Sequence, residues 1–128
     1  MSRLLHTLFV CCLLTFALAI ETLSVKKVLE TPKEFHNKEV VVSGKVDKYE
    51  QRTSRIGNEY FRFKLVDKDD KKAIVNIYGQ GKLKKAPEKG DLVEVKGKYF
   101  IESKVGSYTY KNEVQIKPEG LKILKPAE

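Results

Sequence analysis

The chain has no tryptophan, one methionine, two histidines and only two cysteines in 128 residues. Cys11 and Cys12 both fall inside the one long apolar run, Leu4 to Leu18. Arg3 precedes that run, and Ala17-Leu18-Ala19 has the small-x-small spacing of a signal peptidase site. The run is too short and too soon interrupted for a membrane-spanning helix. The sequence therefore predicts a signal peptide, residues 1–19, cleaved after Ala19; the alternative is an uncleaved N-terminal anchor. Neither cysteine suits a lipoprotein acceptor, because both lie too early within the apolar run. Cleavage takes away both thiols, which excludes disulfides and cysteine metal sites from residues 20–128. It also takes away His6 and leaves His36 alone beside Phe35. A Cys/His metal site and a histidine-centred triad are excluded by that inventory, and neither a metal nor a cofactor is expected. The predicted localisation is periplasmic or secreted, without a transmembrane anchor after cleavage.

Charge is what the chain has in excess. Twenty-five Lys and Arg against seventeen Asp and Glu give a formal +8, and losing Arg3 with the leader lowers it to +7. Residues 20–128 are read as one domain, stabilised by its core alone. Beyond the leader there is no long apolar run; apolar and polar residues alternate instead, which is the pattern of half-buried strands.

Strand one spans about Glu39 to Tyr49, with Val40, Val42, Gly44 and Val46 in phase and a bulge or bend expected at Gly44. Glu50 to Asn58 is polar and reads as a loop. Strand two, about Glu59 to Asp67, puts Phe61, Phe63 and Leu65 on one face. Lys68-Asp69-Asp70-Lys71 is a hairpin turn. Strand three, about Lys72 to Tyr78, puts Ala73, Val75 and Ile77 inward. Gly79 to Gly90 breaks the rhythm, with Leu83 anchoring a short helical turn before Pro87. Strand four, Asp91 to Ile101, carries Val93, Val95, Gly97 and Tyr99 in phase, with a second bend at Gly97. Strand five starts near Lys111 with Val114 and Ile116. Pro118-Glu119-Gly120 interrupts it, and Leu121, Ile123 and Leu124 return to the core. Ahead of these strands, a helix or extended segment is expected to plug one end of a barrel. As a helix it is capped by Ser24, has Val25, Val28 and Leu29 on one face, and meets Pro32, which ends it or starts a new turn.

Val40-x-Val42-x-Gly44-x-Val46, Phe61-x-Phe63-x-Leu65-x-Asp67 with Ala73 to Ile77, Lys89 to Gly97, and Val114-x-Ile116 with Leu121-x-Ile123 together resemble an OB-fold nucleic-acid-binding domain of the anticodon-binding and helicase-associated type. The likeness covers nearly all of residues 20–128, and its motifs belong to the scaffold. The fold expected is all-β: a five-stranded Greek-key OB-fold barrel with a short N-terminal helix and a short helical crossing between strands three and four.

The resemblance implies a binding surface on the outer face of strands two and three and on the bordering loops. On that face lie Lys45, Tyr49, Tyr60, Arg62, Lys64, Asn76 and Tyr78. Arg52 and Arg55 belong to one loop; Lys104, Tyr108 and Tyr110 belong to the other. Cations for phosphates and rings on which bases stack are the two components of single-strand binding, and the Asn76 amide offers an edge contact. The remaining lysines, from Lys82 to Lys125, are spread around the molecule.

Catalysis is not expected. A nuclease centre needs clustered carboxylates; of the available acids, Asp67, Asp69 and Asp70 read as turn residues, Asp47 and Glu59 are the others, and no paired set of acids sits on the proposed face. Haem handling is excluded too, since the C-terminal LKILKPAE has no histidine. The function expected is a non-catalytic exported module binding single-stranded nucleic acid or another extended polyanion. The second reading is an extracytoplasmic adaptor or small-ligand module contacting a protein or an envelope component, suggested by the leader, since nucleic-acid-binding members of the resembled family are mostly cytoplasmic.

Overall fold

A computed structural model describes residues 20–128; the expected leader, its cysteines and the bond after Ala19 lie outside them. The described chain is mostly β, with six strands in one sheet. The short N-terminal helix is present as two pieces. β1 (Thr22–Ser24) lies parallel to the next strand and leads into α1 (Val25–Glu30). The Ser24 hydroxyl caps α1 by accepting the Lys27 N–H at 3.1 Å. Val25 and Val28 are wholly buried, so α1 closes one side of the core. Pro32 ends α1 and opens the four-residue α2 (Pro32–Phe35), because a proline lacks the N–H that a helix interior requires but fits a first turn.

β2 (Lys38–Thr53) is longer than its alternation suggests and changes partners midway. Lys38 to Lys45 pair with β5 (Leu92–Val105), and Lys45 to Thr53 pair with β3 (Glu59–Val66). Gly44 sits at the changeover, where a Cβ would lie 2.7 Å from the Val66 carbonyl oxygen and 2.9 Å from Leu65 Cγ. The bulge itself is not at Gly44. The register shifts between Asp47 and Glu50, where Lys48 adopts φ 53°. Glycine is used at residue 44 for close approach, and the positive φ falls on a lysine with room on the surface.

β3 and β4 (Ile74–Gln80) form a hairpin in the register Phe63↔Ile77. Its turn is organised by Asp67, a buried carboxylate that accepts the Asp69 and Asp70 N–H groups and, at 2.9 Å, the Lys26 N–H from α1. Burial pushes the Asp67 carboxyl pKa up, but these N–H bonds together outweigh it and hold the group below its ordinary value.

The crossing from β4 to β5 contains no helix, contrary to the sequence expectation. Gly81 and Gly90 both have positive φ, and their N–H groups bond to Glu59 and Val46 carbonyls rather than to a helical turn. Leu83 still anchors the segment in the core. β5 then turns into β6 (Tyr108–Lys125), which runs as one strand across Pro118-Glu119-Gly120 by a register shift opposite Val95 to Gly97. Leu121 and Ile123 pack against the core from partly buried positions, but Leu124 is exposed, a departure from its expected return inward.

β6 lies parallel to β4, and β5 pairs with β2 as well as β6. Each of β2 to β6 thus has a hydrogen-bonded strand on both sides. The side chains enclosed are those the alternation places inward: Val40, Val42, Val46, Phe61, Phe63, Leu65, Val75, Ile77, Val93, Val95, Tyr99 and Val114. Each such side chain contributes about 1.5–3 kcal/mol relative to exposure. No helix among the described residues is long and apolar enough to cross a membrane.

Candidate functional site

The inward phenylalanines of β3 leave Tyr60, Arg62 and Lys64 on its outer side, and β4 adds Asn76 and Tyr78 in the register Arg62↔Tyr78 and Lys64↔Asn76. β6 extends the same face, with Asn76↔Glu113 and Tyr78↔Gln115. The end of β2 with its following loop forms one wall, and the β5–β6 hairpin forms the other. Between them lies an open groove of about 1040 Å³. A smaller depression of about 560 Å³ shares Arg55, Tyr60 and Tyr78 with it and continues to Gly81.

Arg62 occupies the centre. Its guanidinium carbon lies 3.8 Å from the centroid of the Tyr110 ring and 4.7 Å from that of Tyr78. Arg62 Nη1 donates to Glu113 Oε1 at 3.3 Å. The Arg62 side chain is 16% exposed and that of Glu113 is 1% exposed. The other Glu113 oxygen accepts from Gln115 Nε2, also at 3.3 Å. Tyr60 leans on Tyr78 with ring centroids 5.9 Å apart. Next to this stack, Lys64 Nζ donates to Asn76 Oδ1 at 3.3 Å, and Asn76 Nδ2 donates to the Lys111 carbonyl at 2.8 Å. Asn76 therefore spends an amide donor and its oxygen inside the fold, which reduces its use as an edge reader.

On the β2 wall, Tyr49 packs against Phe61 and Phe63 with centroids 6.4 and 6.2 Å away, and burial pushes its phenol pKa up. Arg52 donates to Glu50 Oε2 at 2.7 Å; that bond and the charge attraction hold the carboxyl pKa down and the guanidinium pKa up. Arg55 and Lys48 are exposed and have no ion-pair partner among the described residues. Ile56, beyond Arg55, is 83% exposed. On the hairpin wall, Tyr108 is 68% exposed and Val105 stands beside it.

Ten of the twelve residues expected on the face line this groove; Lys45 and Lys104 do not. Lys45 lies where β2 changes partners, ahead of the bulge, and Lys104 lies on the hairpin opposite Thr109. Among the residues of the site that escape the sequence reading are Glu113, which contacts Arg62, and the lining residues Lys48 and Val105. Glu113 has the outward parity of its strand, but its meeting with Arg62 depends on a parallel pairing between distant segments. Lys48 is brought in by a bulge that no glycine or asparagine marks. Val105 is placed by the hairpin turn at Gly106.

The acids considered for catalysis are dispersed. Asp67, Asp69 and Asp70 belong to the β3–β4 turn, and Asp47 lies 4.0 Å from Lys89. Among the described residues no group of three or more His, Cys, Asp or Glu gathers as a metal site. Compared with models of known families and with characterised protein sequences, the chain finds no match in either.

Proposed function

We propose that residues 20–128 form an OB-fold barrel of β2 to β6 that binds single-stranded nucleic acid, or another extended polyanion, along the outer face of β3 and β4, without catalysing a reaction. The barrel reading is supported by the pairing series β2-β3-β4-β6-β5, which returns to β2. One observation carries the ligand reading: tyrosine rings and cations without carboxylate partners lie together in one open groove. The leader makes the module an exported one, periplasmic or secreted. Stacking on aromatic rings is worth about 1–3 kcal/mol per base, and the cationic part weakens steeply with salt.

Titration of labelled single-stranded oligonucleotides at two salt concentrations tests this reading. Binding at about 50 mM salt that falls at 200 mM, and that Lys64→Gln with Tyr108→Ala reduces, is the expected result. Absence of binding at the lower salt removes the reading.

The second reading, an adaptor for a protein or envelope component, is favoured by Ile56, Val105 and Tyr108. These three exposed apolar side chains stand on the two segments that frame the groove. A stable protein partner recovered from envelope fractions, together with indifference to oligonucleotides, would establish it in place of the first.

A further inference from the structure

We infer that the charge of the ligand is met by Lys48, Arg55 and Lys64, and that the central Arg62 is a positioning residue, which holds the tyrosines rather than a phosphate. The inference rests on the nucleic-acid reading of the same groove. Arg62 has the right sequence position for a phosphate ligand, yet its surroundings have already used it. Tyr110 covers one approach at 3.8 Å, Tyr78 another at 4.7 Å, and Glu113 Oε1 accepts a hydrogen bond from Nη1 at 3.3 Å. Glu113 is itself buried at 1% exposure, so its charge stays on Arg62 and is not released to solvent. An incoming phosphate would have to pull the guanidinium from this carboxylate and leave a buried anion uncompensated, which is costly. The arrangement instead spans three strands and fixes two rings: β3 supplies Arg62, β4 supplies Tyr78, and β6 supplies Tyr110 with Glu113.

The three remaining cations differ in this respect. Lys48 stands on the bulge of β2, Arg55 on the following loop and Lys64 on the groove floor. None has a carboxylate within ion-pair distance among the described residues, and Lys64 bonds only the neutral Asn76 oxygen. Arg52 also lines the groove, but it brings Glu50 with it at 2.7 Å. Three open cations around a set of rings describe a short stretch of single strand, with its phosphates along Lys48, Arg55 and Lys64 and its bases toward Tyr60 and Tyr108.

The salt dependence of binding separates the roles, because each phosphate neutralised on a single strand contributes about 0.7 to the slope of log K against log salt. A short labelled oligothymidylate is the probe. With three cations engaged the wild-type slope is about −2; with Arg52 and Arg62 engaged as well it would be about −3.5. Lys48→Gln, Arg55→Gln and Lys64→Gln should each make the slope shallower by about 0.7. Arg62→Met combined with Glu113→Gln keeps the net charge, and should weaken binding by a similar factor at every salt concentration with the slope unchanged. A wild-type slope near −3.5, or a slope lowered in the Arg62 and Glu113 variant as in the lysine variants, overturns the inference while leaving the function in place. No binding by the wild-type protein at about 50 mM salt overturns both.

Discussion

Replacing Arg62 with alanine should unfold much of this protein's stability margin before it says anything about binding. The change deletes the counter-charge of a carboxylate that is 1% exposed and leaves it with only the Gln115 amide at 3.3 Å. Removing one partner of a buried pair costs about 3–5 kcal/mol. The lower end applies here, since the contact is a single 3.3 Å bond and Arg62 retains 16% exposure. Losing the two ring contacts adds about 0.5–1 kcal/mol. The total, about 4 kcal/mol, is a large part of the 5–15 kcal/mol typical of a domain, and corresponds to a fall of about 15 °C in Tm for a chain of this size. Urea denaturation followed by far-ultraviolet circular dichroism measures it without needing tryptophan, which the chain lacks. The second arm is Arg62→Met with Glu113→Leu, which removes both charges and should recover about 3 kcal/mol of the loss. The reasoning fails if Arg62→Ala costs less than about 1 kcal/mol, or if the paired change recovers nothing.

Acid should weaken the fold through two aspartates. The Asp67 pKa is held down because three N–H bonds outweigh the burial that pushes it up; Asp91 is held down by the N–H groups of Glu88 and Ala127. Their folded pKa values lie below the unfolded value of about 3.9, so their stabilisation is complete above that pH and is lost as pH falls through the folded values. Asp67→Asn should cost about 1–3 kcal/mol at pH 7 and progressively less below about pH 4, read as converging urea midpoints. Gly97→Ala should destabilise by more than about 2 kcal/mol, because the new Cβ meets the Gln115 backbone. Gly57→Ala, at φ 91° with nothing within 4 Å, should cost only about 1 kcal/mol, and equal losses at the two sites would refute the distinction. Tyr99→Phe removes the 2.6 Å bond to Asn112 Oδ1 and should lower stability by about 1 kcal/mol in the same assay.

The sequence makes the inner face legible because a strand's period of two needs no partner to be recognised. Val40 to Val46, Phe61 to Leu65 and Val93 to Tyr99 announce their burial by alternation alone, and the structure encloses them. What alternation cannot reveal is register between distant segments. Tyr60, Arg62, Asn76 and Tyr78 are identifiable as outward, and their hairpin is local, so their assembly follows. The pairing of Asn76 with Glu113 joins segments almost forty residues apart, and it alone turns Arg62 from an open cation into a paired one. The helical turn expected around Leu83, before Pro87, is missing for a different reason. Its polar, lysine-rich composition suits several backbones, and two positive-φ glycines bonded to neighbouring strands decide among them. The bulge at Lys48 is illegible because the sequence carries glycine at residue 44, where space is short, and a lysine where φ is positive.

The partner exchange of β2 at Gly44 also sets an order of assembly. Lys45 to Thr53 meet β3 across a nearby loop, whereas Lys38 to Lys45 must wait for β5, about fifty residues later in the chain. Closing that longer loop costs entropy before any contact rewards it, and folds dominated by such pairings take milliseconds to seconds. The β3–β4 hairpin, with its turn tied by Asp67, is the expected early structure, and the β2–β5 ladder the late one. Pulse-labelled hydrogen exchange during refolding should protect the Phe61 and Phe63 amides before those of Val40 and Val42. A chain whose first long strand stays half unpaired until β5 is made cannot close its core until most of its length has been synthesised.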